Sequence, residues 1–219
     1  MSAAPPLPAW LPTDGTIARH FGRTLLTPTY KVVLAKWLSA LLPSTGALSI
    51  LDVGAGDGRL GGFFQEYRPE TTVTGLETFV RVEDSPITLQ SFNGQDFPFP
   101  DASWDVVLFA NVLHHTSNQL ELLRESVRVG RHSILIKDHI YRSPIGRLKL
   151  ILLDLMGNLR FGVATTADYL PSEQWQRLFC QAGIAEALEY ESIPLRKGLL
   201  RAAFENDLEV IFHLPLNQH

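Results

Sequence analysis

An acidic residue and three glycines stand together where an apolar segment ends. The segment LSILDVGAGDG (48–58) carries Asp52 and continues into Gly54, Gly56 and Gly58. Glycines after a strand let the backbone turn sharply and approach a ligand closely, because no Cβ intervenes. An acid directly before such a turn repels phosphate, but it suits a ligand with an amino group, a sulfonium or sugar hydroxyls. We therefore expect this loop to hold a small polar ligand.

A second acid follows at a spacing that fits ribose binding. The run TTVTGLE (71–77) predicts the next strand, which ends in Glu77. In nucleotide-binding folds, an acid about 20 residues after the glycine loop accepts hydrogen bonds from the ribose hydroxyls. One carboxylate can accept from both hydroxyls of a vicinal diol. We therefore expect Glu77 to bind a ribose.

A dinucleotide loop is the main alternative. Gly56, Gly58 and Gly61 spell the G-x-G-x-x-G pattern, but its register is wrong. The first glycine should follow the strand directly, and counting from Gly54 puts Arg59 where the third glycine belongs. The acid before the loop also disfavours a neighbouring pyrophosphate. A plain tight turn is the other alternative, although it needs neither three glycines nor two acids.

Three segments together resemble a known enzyme family. DVGAGDG (52–58), GLE (75–77) and FPFPDASWDVVLFANVLHH (97–115) are similar to the class I, Rossmann-like S-adenosylmethionine-dependent methyltransferases. The resemblance covers about residues 46–140. It implies an α/β three-layer sandwich around a mostly parallel seven-stranded sheet with an antiparallel last strand. N-terminal helices and a helical lid insertion would be added to this core.

The resemblance also assigns parts of the cofactor S-adenosylmethionine to residues. The methionine part would lie against Asp52, Gly54, Ala55, Gly56 and Asn111, and the ribose against Glu77. Adenine is expected at Asn93, Gly94 and Gln95, where family members often have Gly-Asp-Ala. An ordinary Asx-type turn at Asn93 is the alternative there.

Acid–base candidates follow two of the predicted strands. Ligands of open α/β sheets bind at the carboxyl ends of the strands, where KDHIY (137–141) delivers Asp138 and His139. His139 could be a general base that Asp138 orients, since imidazole takes up protons near neutral pH. A structural role in the loop is the alternative for both. His114 is a third catalytic candidate, although the His114–His115 pair is common in such sequences where no base is needed. Weaker candidates in the expected lid are Tyr141, Tyr30 and His20.

Composition limits the class of protein. The 219 residues are 45% hydrophobic and 19% charged, which is typical of a folded globular protein. A formal net charge of −4 argues against nucleic acid or a membrane as the main partner. The only cysteine, Cys180, excludes an intrachain disulfide and a multi-cysteine metal site. Paired carboxylates with metal spacing are absent from the sequence, so we expect no metal. MSAAPPLPAWLP at the start is not a signal peptide and no run could span a membrane, so a cytoplasmic protein is expected.

Hydrophobic periodicity and the positions of glycine and proline predict the secondary-structure elements and the domains. We expect residues 1–13 to form a proline-rich arm and residues 14–219 to form one domain, which the family resemblance implies is a methyltransferase domain. The domain divides into a helical cap (14–42), a cofactor-binding core (46–140), a lid and acceptor region (141–170) and a C-terminal helix with a strand pair (171–219). Strands are predicted at 48–53, 71–76, 87–91, 104–110, 133–137, 186–192 and 208–214. Core helices are predicted near 58–67, 117–129 and 171–183, with a short one at 196–205.

The expected function is methyl transfer to a small, fairly apolar acceptor, most readily at oxygen, with nitrogen and carbon left open. SPIGRLKLILLDLMGN (143–158) predicts a helix that is apolar on nearly all sides. It must be buried by the chain, by an apolar acceptor or by a second subunit, so a homodimer is possible. The alternatives are an RNA or protein methyltransferase, a cyclase-like enzyme that retains the cofactor, and a non-catalytic partner subunit.

Overall fold

A central sheet between two helical layers organises the chain. The computed structural model describes residues 5–22, 28–80, 84–158, 168–195 and 206–216. The strands are β1 (Leu48–Val53), β2 (Thr71–Glu77), β3 (Thr88–Ser91), β4 (Trp104–Ala110), β5 (Gly130–Tyr141), β6 (Leu170–Pro171), β7 (Leu188–Glu191) and β8 (Glu209–Pro215). The helices are α1 (Asp14–His20), α2 (Pro28–Leu41), α3 (Arg59–Tyr67), α4 (Gln119–Val129), α5 (Pro144–Asn158) and α6 (Ser172–Gln181). The short helix predicted at 196–205 lies outside the described residues.

The sheet has the order β3-β2-β1-β4-β5-β8-β7, and β6 pairs only with the far end of β5. β1 to β5 pair in parallel, whereas β8 is antiparallel to both β5 and β7. The predicted seven-stranded sheet with an antiparallel last strand is thereby confirmed. None of the described helices is long and apolar enough to span a membrane.

Alternation along the strands divides the core into two layers. On β4, Val106 and Leu108 pack with the helices of the α1, α2 and α3 layer, whereas Val107 and Phe109 pack with α4 and α6. Successive side chains of a strand point to opposite faces, so each central strand supplies both layers. This continuous apolar burial on both faces is why the parallel strands could be recognised from sequence.

β5 is longer than the predicted strand at 133–137. Beyond the end of β4, it continues by pairing Asp138 with Val210 and His139 with Glu209 of β8, and Ile140 with Leu170 of β6. Asp138 and His139 follow the predicted strand and look like the start of a loop, because both are polar. They belong instead to a strand, and this changes which side chains Asp138 and His139 contact in the candidate site.

α5 differs in part from its predicted burial. Leu150 is fully buried against Tyr169 and Leu208, as expected for an apolar helix. Four large side chains on its other side are exposed in the described part of the chain, namely Ile145, Leu148, Leu152 and Leu155.

Candidate active site

The glycine loop joins β1 to α3 and adopts left-handed backbone angles. The φ angles of Gly54, Gly56 and Gly58 are 72°, 61° and 73°, a region that side chains disfavour. The Gly54 N–H donates to the carbonyl of Leu76 at 2.8 Å, which ties the loop to the end of β2. A Cβ on Gly54 would also lie 2.5 Å from the side chain of Val112. Gly54 is therefore required both by its backbone angle and by the close approach of Val112.

Asp52 and Glu77 lie beside this loop, as the spacing predicted. β1 and β2 are adjacent and parallel, with Val53 opposite Leu76, so both acids reach the carboxyl edge of the sheet. Glu77 Oε1 accepts a hydrogen bond from the Gly56 N–H at 2.5 Å. Parallel pairing alone brings the two acids and the loop together.

Asp52 is a buried acid with an unsatisfied oxygen. Its side chain is 1% exposed, and Oδ2 has no hydrogen-bond partner in the described part of the chain. Burial, together with the nearby charge of Glu77, raises the pKa of Asp52 to about 7. An unpaired buried oxygen is costly, so it marks a position that a donor or a cation on a ligand would satisfy.

The Asp52→Asn variant is expected to change the pH dependence of stability. The folded protein holds the Asp52 proton more tightly than the unfolded chain, because the folded pKa is about 7 rather than 3.8. The free energy of unfolding from this group therefore falls as the pH rises between these values, by roughly 1.4 kcal/mol per pH unit. Urea unfolding of both proteins at about pH 5 and about pH 7 measures this fall, which the variant should lack. Parallel pH dependences would contradict the burial argument.

Asn111 is the first residue of the loop after β4, and both the oxygen and the nitrogen of its side-chain amide are hydrogen-bonded. It has a φ of 61°, and its N–H donates to the carbonyl of Lys137 at 2.8 Å. Its Oδ1 accepts from Lys137 Nζ at 2.5 Å, and its Nδ2 donates to the hydroxyl of Tyr30 at 2.9 Å. The Tyr30 contact fastens α2 to this edge of the sheet.

A buried ion pair lies next to Asn111, and its lysine donates a hydrogen bond to the Asn111 side chain. Lys137 and Glu209 are both 0% exposed, and Nζ lies 2.5 Å from Oε2. Although burial lowers the pKa of Lys137, the Glu209 carboxylate outweighs it and the pKa stays above its usual value. Neither residue has a role that was predicted from the sequence. The available signals were a cation at the end of a buried strand and an isolated acid at the start of the apolar run LEVIFHL.

The structure corrects the predicted pairing of Asp138 with His139. Because β5 continues through these residues, their side chains point to opposite faces of the sheet. Asp138 Oδ1 instead accepts from Nδ1 of His114 at 2.6 Å and from the His139 backbone N–H at 2.8 Å. The His139 ring lies against Glu209, with Nδ1 3.2 Å from Oε2. Burial lowers the pKa of His139, because a charged imidazole would lose hydration there.

His114 and Asp138 form a buried dyad beside aromatic side chains. Burial raises the pKa of Asp138, but His114, with His139 and Lys137, outweighs it and brings that pKa to about 2. The carboxylate therefore stays charged and can orient the imidazole. The His114 ring stacks on Tyr169, with centroids 4.9 Å apart and planes at 14°. No hydrogen bond joins its Nε2 to the described residues.

The predicted adenine segment forms an Asx-type turn. Asn93 Oδ1 accepts from the backbone N–H groups of Gln95 and Asp96, both at 2.8 Å, and Nδ2 donates to Asp96 Oδ2. Gly94 has a φ of 80° and its carbonyl accepts from Asn118 at 3.5 Å. The Asn93 amide is thus occupied within its own loop. The neighbouring exposed backbone remains the part of this segment that could contact a base.

Comparisons with known proteins agree with this geometry. A family described as a methyltransferase domain matches residues 51–133. An uncharacterized methyltransferase from Mycobacterium sp. (strain JLS) is 29% identical over 157 residues, covering 65% of this chain and 59% of the relative. Another from Mycolicibacterium gilvum (strain PYR-GCK) is 27% identical over 204 residues, covering 85% of this chain and 75% of the relative. The chain thus spans about three fifths of the first of these relatives.

Solved structures share the fold at low identity. A chain in the complex of the Haloferax volcanii Trm112 methyltransferase activator with a putative methyltransferase superposes with a TM-score of 0.64 and 13% identity, covering 94% of this chain and 96% of that one. A Thermotoga maritima S-adenosylmethionine-dependent methyltransferase, possibly acting on histamine nitrogen, gives a TM-score of 0.61 and 16% identity, covering 84% and 87%.

The strand order, the antiparallel last strand and the glycine loop between two acids define a class I methyltransferase fold. Residues 51–133 match the methyltransferase-domain family, and the whole fold resembles that of S-adenosylmethionine-dependent methyltransferases. The family resemblance seen in the sequence is therefore confirmed.

Proposed function

We propose that this protein transfers a methyl group from S-adenosylmethionine to an oxygen of a small, fairly apolar acceptor. The observation that carries the cofactor assignment is the buried, partnerless Oδ2 of Asp52 beneath a glycine loop that Glu77 also contacts. An ammonium group would satisfy that oxygen, and a vicinal diol suits Glu77. A pyrophosphate suits neither of these acids.

The residues of the loop would bind and orient the cofactor. Asp52 would accept from the ammonium of its methionine part, and Glu77 would accept from its ribose hydroxyls. Gly54, Ala55 and Gly56 would bring backbone close to it, and Asn111 would border its methionine part. Gly94 and Gln95, with the Asn93 turn, would border the adenine. The bound cofactor supplies an electrophilic methyl group on a sulfonium, so the remaining task of the protein is placement.

The His114–Asp138 dyad would act on the acceptor. With Nδ1–H donated to Asp138, Nε2 of His114 carries the lone pair that can take a proton from an acceptor hydroxyl. Tyr169, which stacks on His114, would wall the acceptor site with an apolar ring. His139 would support this arrangement through Glu209 rather than act as the base.

The test of the cofactor assignment is calorimetric titration with S-adenosylmethionine and S-adenosylhomocysteine, with NAD as the control ligand. We expect micromolar binding of the first two, weakened roughly 10- to 100-fold in Glu77→Gln, since hydrogen bonds to a charged group are lost. Glu121→Gln is the matched control, because it removes an exposed carboxylate on α4. No binding by the wild-type protein, or a preference for NAD, would overturn the proposal.

The alternatives differ in product and in acceptor. Release of S-adenosylhomocysteine with hydroxyl, phenol, amine or carbon acceptors separates methyl transfer from other chemistry on this fold and identifies the atom methylated. The net charge of −4 disfavours an RNA acceptor. The Haloferax relative was solved with an activator protein, so light scattering with and without candidate partners would decide between a monomer, a homodimer and a complex.

A further inference from the structure

We propose that Lys31 binds the carboxylate of the methionine part of the cofactor, so that helix α2 forms one wall of the cofactor site. This inference rests on the proposed use of S-adenosylmethionine. An α-amino acid carries its ammonium and its carboxylate on the same carbon. A site that recognises it with Asp52 therefore needs a cation within a few ångströms of that acid.

Tyr30 fixes where α2 lies. Its hydroxyl accepts from Asn111 Nδ2 at 2.9 Å, and its ring lies under Lys137 Nζ, 5.6 Å from the centroid. Asn111 opens the loop after β4, next to the glycine loop after β1. The residue that follows Tyr30 on this helix is thus held at the carboxyl edge of the sheet.

Asp52 faces the same layer as α2. It lies two residues after Ile50, whose side chain packs with the α1, α2 and α3 layer, and strand alternation puts both on one face. A Cβ on Gly61 of α3 would lie 3.5 Å from Asp52 Oδ2, which places this oxygen against that layer. Lys31 lowers the pKa of Asp52, so its charge acts at this position.

Lys31 is the cation that the described residues leave available here. Its half-buried side chain lies over the ring of Phe21, with Nζ 5.7 Å from the centroid, and makes no hydrogen bond or ion pair to the described residues. The two other cations nearby are engaged. Lys137 is bound by Glu209 and Asn111, and Arg59 lies 3.4 Å from Asp57 and donates to the Phe21 carbonyl.

The test compares two ligands that differ at the amino-acid end. S-adenosylhomocysteine has the carboxylate, whereas 5′-methylthioadenosine retains the nucleoside and the thioether without it. We expect Lys31→Met to weaken S-adenosylhomocysteine roughly 10- to 100-fold and to change methylthioadenosine less than twofold, as measured by calorimetry. Lys31→Arg should restore most of the affinity. Lys36→Met, five residues along the same helix and paired with Asp14, is the matched control.

A second variant tests the role of α2. Tyr30→Phe removes the contact with Asn111 without removing a charge, and we expect a smaller loss with the same ligand selectivity. The double variant should bind S-adenosylhomocysteine no more weakly than Lys31→Met, because Tyr30 would act through Lys31. Equal weakening of both ligands by Lys31→Met, or no weakening, would overturn the inference. Absence of binding to the wild-type protein would overturn the proposed function itself, and this inference with it.

Discussion

Replacing His114 with asparagine is expected to lower the rate of methyl transfer roughly 10²- to 10⁴-fold, which is the usual contribution of a positioned general base. The physical reason is the dyad, in which Asp138 holds Nδ1 at 2.6 Å and leaves Nε2 for the acceptor. Single-turnover rates measured at saturating cofactor report this step, because they exclude binding and product release. Cofactor affinity should stay unchanged.

The control for this variant is His132→Asn, which changes an exposed histidine on the same sheet, 3.6 Å from Asp105. Asp138→Asn should also slow transfer, since a neutral amide no longer holds the imidazole as firmly. If the His114→Asn variant lost less than tenfold in the rate of methyl transfer, the role of the dyad would be structural and not catalytic. A loss that arose only from weaker cofactor binding would lead to the same conclusion.

Lys137→Met is expected to destabilise the protein by about 3–5 kcal/mol, because Glu209 would be left charged and buried without its ammonium partner. Both side chains are 0% exposed, and Nζ lies 2.5 Å from Oε2. The free energy of unfolding in urea measures the effect. It would remove a large part of the roughly 5–15 kcal/mol that stabilises a typical protein.

The double variant Lys137→Met with Glu209→Gln separates charge from packing. It should recover most of the lost stability, since no uncompensated buried charge remains. Arg142→Met is the control, because Arg142 pairs with Glu191 at the surface and such pairs contribute about 0–1 kcal/mol. A double variant as unstable as the single one would show that the loss comes from packing and from the Asn111 contact.

The positions of Asp52, the glycine loop and Glu77 were predictable because local spacing is sufficient there. A strand, a glycine turn and an acid at the end of the next strand meet by parallel pairing, so Asp52, Gly56 and Glu77 are brought together by adjacent elements. The antiparallel last strand followed from the family resemblance. These features depend on short stretches of chain and on general rules of sheet assembly.

The contacts of the candidate acid–base residues were less predictable, because these contacts join distant parts of the chain. Asp138 and His139 looked like loop residues, since nothing in the local sequence shows that β8 and β6 extend the pairing of β5. The partner of Asp138 is His114, 24 residues away. The Tyr30 hydroxyl contacts Asn111 across 81 residues. Contacts between residues so far apart in the sequence produce no periodic pattern from which they could be predicted.

The sequence by itself determined the class of fold, the glycine loop and the two acids, because hydrophobic periodicity and residue spacing encode elements and their order. Only the tertiary structure decided which polar side chains meet. It joined His114 to Asp138, Lys137 to Glu209 and α2 to the carboxyl edge of the sheet. The physical reason is that a buried polar group must find a partner in three dimensions, and burial is a property of the folded chain.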